Sequence, residues 1–247
     1  MRTKAERFAD LACLTYRDHE SRARRAEATA LLAETREIVQ ASVCAAAAAG
    51  DVDALRVHLD RDPACVAQLG ATADRMPLLA LCYSRVPQAD ARACLDLLLA
   101  RGADPKAFVM IGENRFTALT GVMGEGEAGP LEQPPHPDAR AMAERLLDAG
   151  ADPNDSQGLY NTHFSPSNAW LELLLARGLS SRADLDFALG PAVVLGFVDR
   201  VQLLLAHGAN VDGRNHYNRR THLENALLEG HAAIAAVLTA AGASAPC

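Results

Sequence analysis

The sequence predicts an all-α fold in which about six helix-pair units stack into a solenoid. The first observation is the phrase VQLLLAHGANVDGRN from Val201, whose three leucines place a wide apolar stripe on one helix face. The second is the glycine after the stripe, which ends a helix in the left-handed conformation without a Cβ clash. The third is recurrence, because related phrases begin at Leu95, Ala143, Leu171 and Ala235. Their glycines are 48, 28, 30 and 34 residues apart, which is typical of a stacked helical repeat.

The last unit indicates which repeat this is. Residues 221–244, THLENALLEGHAAIAAVLTAAGAS, resemble the ankyrin-repeat pattern TPLHxAAxxGHxxVVxLLLxxGA. The matching positions are Thr221, Leu223, Ala226, Gly230, His231, Val237, Leu238, Gly242 and Ala243. The departures are His222 and Glu224, where proline and histidine are usual. The resemblance implies that the threonine caps the first helix, that Gly-His turns the chain between two helices, and that β-hairpin-like fingers join the units.

Composition limits the classes of function. The chain has 247 residues, 49% of them hydrophobic, and a formal charge of −7, so a sizeable core is expected. A net acidic chain is a poor candidate for binding nucleic acid, since phosphate neutralisation drives that binding. No apolar run approaches the roughly 18 residues that a membrane span requires. The N-terminus also lacks the apolar block of a secretory signal, so the sequence predicts a cytoplasmic protein with no membrane partner.

The cysteines are expected to be reduced core residues. They are scattered, and none stands in a CxxC pair. Cys44, Cys82 and Cys94 lie within apolar helical patterns, where cysteine behaves as a small hydrophobic residue. The others are Cys13, Cys65 and Cys247.

Residues 1–40 are not ankyrin-like and predict a helical hairpin that caps the first repeat. Phe8, Leu11, Ala12 and Tyr16 are spaced for one helix face, and a second helix is expected over about 21–33. Residues 41–247 are then expected to form one continuous domain. Its repeats are predicted over about 41–73, 74–109, 110–156, 157–184, 185–216 and 217–247.

The third and fourth repeats depart from the pattern. The segment GEGEAGPLEQPPHP, residues 124–137, interrupts the third repeat with a glycine- and proline-rich stretch that cannot continue a helix. We call it the 124–137 insertion. The fourth repeat spans only 28 residues between glycines, so its first helix is expected to be shortened or lost. The segment VDGRNHYNRR, residues 211–220, gathers further polar groups and is called the 211–220 finger.

The resemblance implies that the fingers and first helices line one concave surface, where the irregular segments would converge. A convergent polar cluster in a concavity is the usual form of a binding site. The predicted binding residues are Glu113, Asn114, Arg115, Gln133, His136, Asp155, Tyr160, Asn161, His163, His216, Tyr217 and Arg220. If the chain is an enzyme, the candidate acids and bases are Glu113, Glu125, Glu127, His136 and His163.

Two functions therefore remain open. The first is a binding protein that recognises a protein or peptide on its concave face, as the resemblance implies. The second is a pocket for a small polar metabolite, with acid–base chemistry of the lyase, isomerase, cyclase or hydrolase type. No HExxH or CxxC spacing predicts a metal, and no motif predicts an organic cofactor. On either function, Glu113→Ala, Arg115→Ala and His136→Ala are expected to leave the fold intact.

Overall fold

A computed structural model defines the fold and describes residues 3–16, 22–70 and 75–244. These residues are mostly helical and contain one two-stranded sheet, so the all-α prediction is confirmed. The chain divides into two compact units, Met1–Asn161 and Thr162–Cys247. The boundary falls inside the predicted fourth repeat, where the repeat pattern is weakest.

The first unit begins with two helices that pack against each other. Its helices are α1 (Lys4–Ala12), α2 (Arg22–Glu34), α3 (Ile38–Ala41), α4 (Val43–Ala49), α5 (Val52–Arg61), α6 (Pro77–Tyr83), α7 (Ala91–Ala100), α8 (Ala118–Met123), α9 (Gly129–Glu132), α10 (Ala139–Asp148) and α11 (Ser156–Asn161), with a 3₁₀ turn at Pro63–Ala67. Thr3 opens α1 with a capping box that Glu6 completes. Helix α1 packs against both α2 and α4, with Phe8 and Ala12 fully buried.

Helices α4, α6 and α8 pack one on the next. Helices α5, α7 and α10 form a second series, and each of them packs against a helix of the first. The alanines of α4 are buried, which lets the neighbouring helices approach closely. The recurring glycines that follow the second helices all have φ between 87° and 103°. At Gly102 and Gly150 an added Cβ would meet nothing within 4 Å, so there is room for a side chain. Glycine is favoured there because of the positive φ.

Between α7 and α8 the chain forms a β-hairpin of β1 (Phe108–Ile111) and β2 (Asn114–Thr117). Its register pairs Val109 with Phe116 and Met110 with Arg115. Gly112, with φ +61, takes the first central position of the two-residue turn, and Glu113 follows with negative φ. This is the type II′ turn that suits the twist of paired strands. A β-hairpin-like finger is therefore present at this position.

The second unit contains a 3₁₀ turn at Thr162–Phe164, then α12 (Ala169–Ala176), α13 (Arg182–Val194), α14 (Val198–Ala206), α15 (His222–Leu228) and α16 (Ala232–Ala240). Helix α13 packs against α14 and α15, and α14 against α16. Thr221 and Glu224 form a capping box at the start of α15. The 211–220 finger is a loop closed by an isolated bridge between Arg214 and Thr221.

Two local predictions need correction. The 124–137 insertion is not wholly irregular, because α9 forms one helical turn inside it with a proline at its start. Tyr16 lies beyond the end of α1, with φ +55, so it does not belong to the helix face predicted for it.

Five of the six cysteines lie in the part of the chain that the structure describes, and all five are free and buried: Cys13, Cys44, Cys65, Cys82 and Cys94. Cys247 lies outside the described residues.

Candidate functional site

The structure separates the predicted site residues by exposure. Gln133, His136, Asp155, Asn161 and His163 are buried. Glu113, Asn114, Arg115, Glu127, His216, Tyr217 and Arg220 are exposed, while Glu125 and Tyr160 are half-buried. The buried residues form hydrogen bonds and contacts within the fold, whereas the exposed residues lie at the surface.

His136 anchors the 124–137 insertion to the second helix pair. Its Nε2 lies 2.5 Å from Gln88 Oε1, and the Gln88 amide nitrogen donates to the carbonyls of Ala48 and Leu81. Oε1 of Gln88 is therefore the acceptor, so Nε2 of His136 carries the proton. Its Nδ1 accepts from the backbone N–H of Asp138 at 3.0 Å. Burial, assisted by the nearby charge of Arg85, lowers the pKa of His136 to about 3, so the ring is neutral with both nitrogens engaged.

Arg85 holds the other side of the insertion. Its guanidinium donates to backbone carbonyls of α6, α8 and the insertion, and the acceptors are Cys82, Ser84, Gly121 and Pro134. Burial lowers the pKa of Arg85 to about 10, which still leaves it charged at neutral pH. Arg85 and Gln88 could not be predicted as contacts of the insertion, since nothing in the sequence pattern indicates which polar residue will reach an inserted segment.

Asp155 and Asn161 join α11 to α8 and to the insertion. Asp155 accepts from the hydroxyls of Thr117 and Thr120 and from the N–H of Gly158. Burial raises the pKa of the Asp155 carboxyl, although these hydrogen bonds oppose the shift. Asn161 Nδ2 donates to the Gly124 carbonyl at 2.8 Å. The predicted convergence of insertion and fourth repeat is thus present within the first unit, but these polar groups are bonded to one another and to backbone.

The insertion also packs tightly at its ends. An added Cβ on Gly126 would collide with the side chains of Gln133 and Tyr16. The Gln133 Oε1 accepts from the Ala128 N–H at 3.0 Å. At the surface the Tyr160 hydroxyl donates to the Glu127 carboxylate. These contacts make the insertion a fixed part of the first unit.

The exposed face of the β1–β2 hairpin is different, because it carries large side chains that lie partly open to solvent. Phe108 and Met110 are 39% and 44% exposed, whereas Val109, which lies between them on β1, is buried. The guanidinium carbon of Arg115 lies 4.0 Å from the centre of the Phe108 ring. Glu113 and Asn114 complete the tip of the hairpin. We call Phe108, Met110 and Arg115 the hairpin face. All four residues of FVMI are apolar, so the sequence carries no alternation that could have indicated this face.

In the second unit His163, His216 and Tyr217 are brought together around Phe187, a residue of α13 that the sequence did not single out. The Phe187 ring centroid lies 5.5 Å from that of His163, 5.7 Å from that of His216 and 6.1 Å from that of Tyr217. Burial and the charge of Arg200 lower the pKa of His163 to about 4. Tyr217 is 62% exposed. The result is an aromatic cluster that is buried at one end and open at the other.

Arg200 fixes the loop that carries His163. It is 1% exposed, and its guanidinium donates to the side chain of Asn168 and to three backbone carbonyls, those of Thr162, Ser165 and Ser167. The loop has no regular helix between its 3₁₀ turn at Thr162–Phe164 and α12. One buried arginine therefore supplies hydrogen-bond donors to backbone carbonyls that no helix satisfies.

Among the described residues, no three His, Cys, Asp or Glu side chains form a group that could hold a metal ion. In the same part of the chain no helix combines the length and apolar composition of a membrane span. No protein-family model matches the sequence, and no curated protein matches it.

Proposed function

We propose that this chain is a divergent ankyrin-repeat protein that recognises a protein or peptide partner. Support for the repeat comes from helix pairs that are packed in series within each unit. Glycines of positive φ lie between the helices of three pairs, at Gly50, Gly196 and Gly230. Threonine capping boxes open α8 and α15, as the ankyrin pattern requires of its first helices.

The observation that carries the binding function is the hairpin face. An aromatic ring, a methionine and an arginine stacked on that ring are the residue types enriched in the centre of protein interfaces. Methionine adapts its shape to a partner, and arginine offers a planar fork of donors. On a well-packed hairpin, such residues contribute little to the core of the first unit and are available to a partner.

The small-molecule alternative has less support. A pocket for a polar metabolite needs convergent polar groups with unused hydrogen-bonding capacity. Asp155 and His136 are instead buried and bonded within the first unit. A neutral imidazole with a pKa of about 3 is also a poor general base near neutral pH.

Photo-crosslinking tests the proposal directly. Met110 is replaced by p-benzoylphenylalanine in the full chain, and the same replacement is made at Val57, a 55% exposed residue of α5, as the matched control. Irradiation in the native host is expected to give a discrete protein adduct at position 110 that is missing at position 57. Equal labelling at both positions, or none at 110, contradicts binding through the hairpin face.

A further inference from the structure

We propose that the 211–220 finger of the second unit binds an acidic peptide segment. The inference rests on the proposed function, protein recognition, and names the chemistry of a partner at a second surface. Three observations carry it: the finger is rigidly built, it exposes unpaired arginines, and it stands beside the aromatic cluster around Phe187.

The finger is held in one shape by Asn215, which is 3% exposed. The Asn215 Oδ1 accepts from the N–H groups of Tyr217 and Asn218, and its backbone N–H donates to the Arg220 carbonyl at 2.9 Å. Arg219 takes a left-handed conformation with φ +62, which is uncommon for a residue with a side chain. A loop ordered before binding loses little conformational entropy when a partner arrives, so its contacts contribute more fully to affinity.

Three exposed arginines give the finger a local positive charge. Arg214 donates to the Arg219 carbonyl, which orders the loop. Arg219 and Arg220 form no ion pair or side-chain hydrogen bond with the described residues. Two acids are close in sequence, and both carboxylates accept backbone hydrogen bonds: Asp212 from the Ser244 N–H at 2.8 Å and Glu224 from the Thr221 N–H at 2.6 Å. That bond lowers the pKa of Glu224 first, and the charges of Arg214 and Arg220 add to the effect.

The aromatic cluster supplies the apolar part of the surface. Phe187 is half-buried, and Tyr217 lies beside it with most of its ring open. Arginines next to such rings suit a peptide that offers carboxylates and one apolar or aromatic side chain. The carboxylates would accept paired N–H donors from Arg219 and Arg220, while the apolar side chain would rest on Phe187 and Tyr217.

A short acidic peptide fits this surface better than a nucleic acid does. The chain carries a formal charge of −7, and the second unit has seven acidic residues against six arginines. An extended polyanion would be repelled beyond the finger, because its phosphates continue along the whole strand. A peptide with a few carboxylates is short enough to stay on the finger, where three arginines outnumber the single acid, Asp212.

The test is an unbiased selection on the full-length protein. A phage-displayed library of random twelve-residue peptides is selected on the native chain, and enriched peptides are synthesised with a fluorescent label. Enriched sequences are expected to combine Asp or Glu with an aromatic residue. Their affinity should fall at least tenfold in Tyr217→Ala/Arg219→Gln/Arg220→Gln, and it should weaken as salt rises, since exposed charges are screened. Arg182→Gln, a similarly exposed arginine of α13, is the matched control and should bind normally.

Other outcomes overturn the inference. The first is a selection that does not enrich acidic peptides. The second is a set of peptides that bind the finger variant as tightly as the native chain. The third is a twelve-residue oligouridylate that binds the finger more tightly than the selected peptides do. The variant Met110→Ser/Arg115→Ala separates the two proposals. Peptides that lose affinity only in that variant support the hairpin face and contradict the finger. Peptides that lose affinity only in the finger variant support the finger, and the hairpin face is tested separately by the photo-crosslinking at position 110.

Discussion

Nε2 of His136 donates to Oε1 of Gln88 across 2.5 Å, and this bond ties the 124–137 insertion to the connection between α6 and α7. Both partners are otherwise engaged, His136 with the Asp138 N–H and Gln88 with two carbonyls. A residue that the sequence presents as an acid–base candidate is therefore an anchor. These bonds hold the insertion against the first unit.

Replacing His136 should destabilise the protein. His136→Ala leaves the Oε1 of Gln88 and the N–H of Asp138 without their partner, so the free energy of unfolding should fall by about 2–4 kcal/mol. Urea denaturation followed by circular dichroism measures it, with the exposed Glu127→Ala as control. An unchanged midpoint for His136→Ala would restore the sequence-based expectation that this residue is dispensable for folding.

Arg200 should be more sensitive than any exposed arginine. Arg200→Met removes the donor of four hydrogen bonds and leaves several carbonyls of residues 162–168 unpaired, so a loss of about 3–5 kcal/mol is expected. Hydrogen exchange should show that protection is lost first in this loop. Arg182→Met, whose side chain is 65% exposed, should change stability by less than about 1 kcal/mol. Similar losses for both variants would refute the anchoring role.

Acid should destabilise the second unit through His222. This ring is fully buried, neither of its nitrogens has a hydrogen-bond partner, and burial lowers its pKa to about 4. The unfolded chain binds the proton near pH 6.5 and the folded chain only near pH 4, so stability is present above pH 6.5 and is lost progressively as pH falls towards 4. His222→Leu should remove about 2–3 kcal/mol of that dependence. Parallel stability–pH curves for the two proteins would contradict this assignment.

The described cysteines should be inert in the native state. Burial raises the pKa of Cys44 and of Cys94 to about 12, and raises that of Cys82 as well, so almost no thiolate is present at neutral pH. In a Cys247→Ser variant, Ellman's reagent should react slowly before denaturation and with five thiols after it. A rapid stoichiometric reaction in native buffer would show that one of these thiols is accessible.

The sequence predicts the helices well, because they follow from local patterns. Thr221 caps α15 as the resemblance implies, and the leucine stripe that begins at Val201 lies in α14, which ends just before Gly208. The site is less predictable, because it depends on which polar side chain reaches which segment. Gln88 and Arg85 carry no periodic signal, and only the folded chain brings them to His136 and Pro134.

The exposure of a polar or aromatic side chain is also difficult to predict from the sequence pattern. The sequence groups His136 with Arg115 as site residues, yet one is 2% exposed and the other lies on an open hairpin. Phe187 could not be distinguished from a core residue of α13, because its half-buried position depends on the loop at His163 and the finger at His216. Long-range packing decides both cases.

Recognition of a protein by the hairpin face can be measured by quantitative affinity purification with three full-length baits. The baits are the native chain, Phe108→Ser/Met110→Ser/Arg115→Ala, and the control Val57→Ser/Leu69→Ser. Val57 and Leu69 are exposed apolar residues of the same unit, away from the hairpin in sequence. We expect a partner whose recovery falls at least tenfold with the hairpin variant alone, while all three baits melt alike. Equal recovery of every partner by the native chain and the hairpin variant would contradict this expectation.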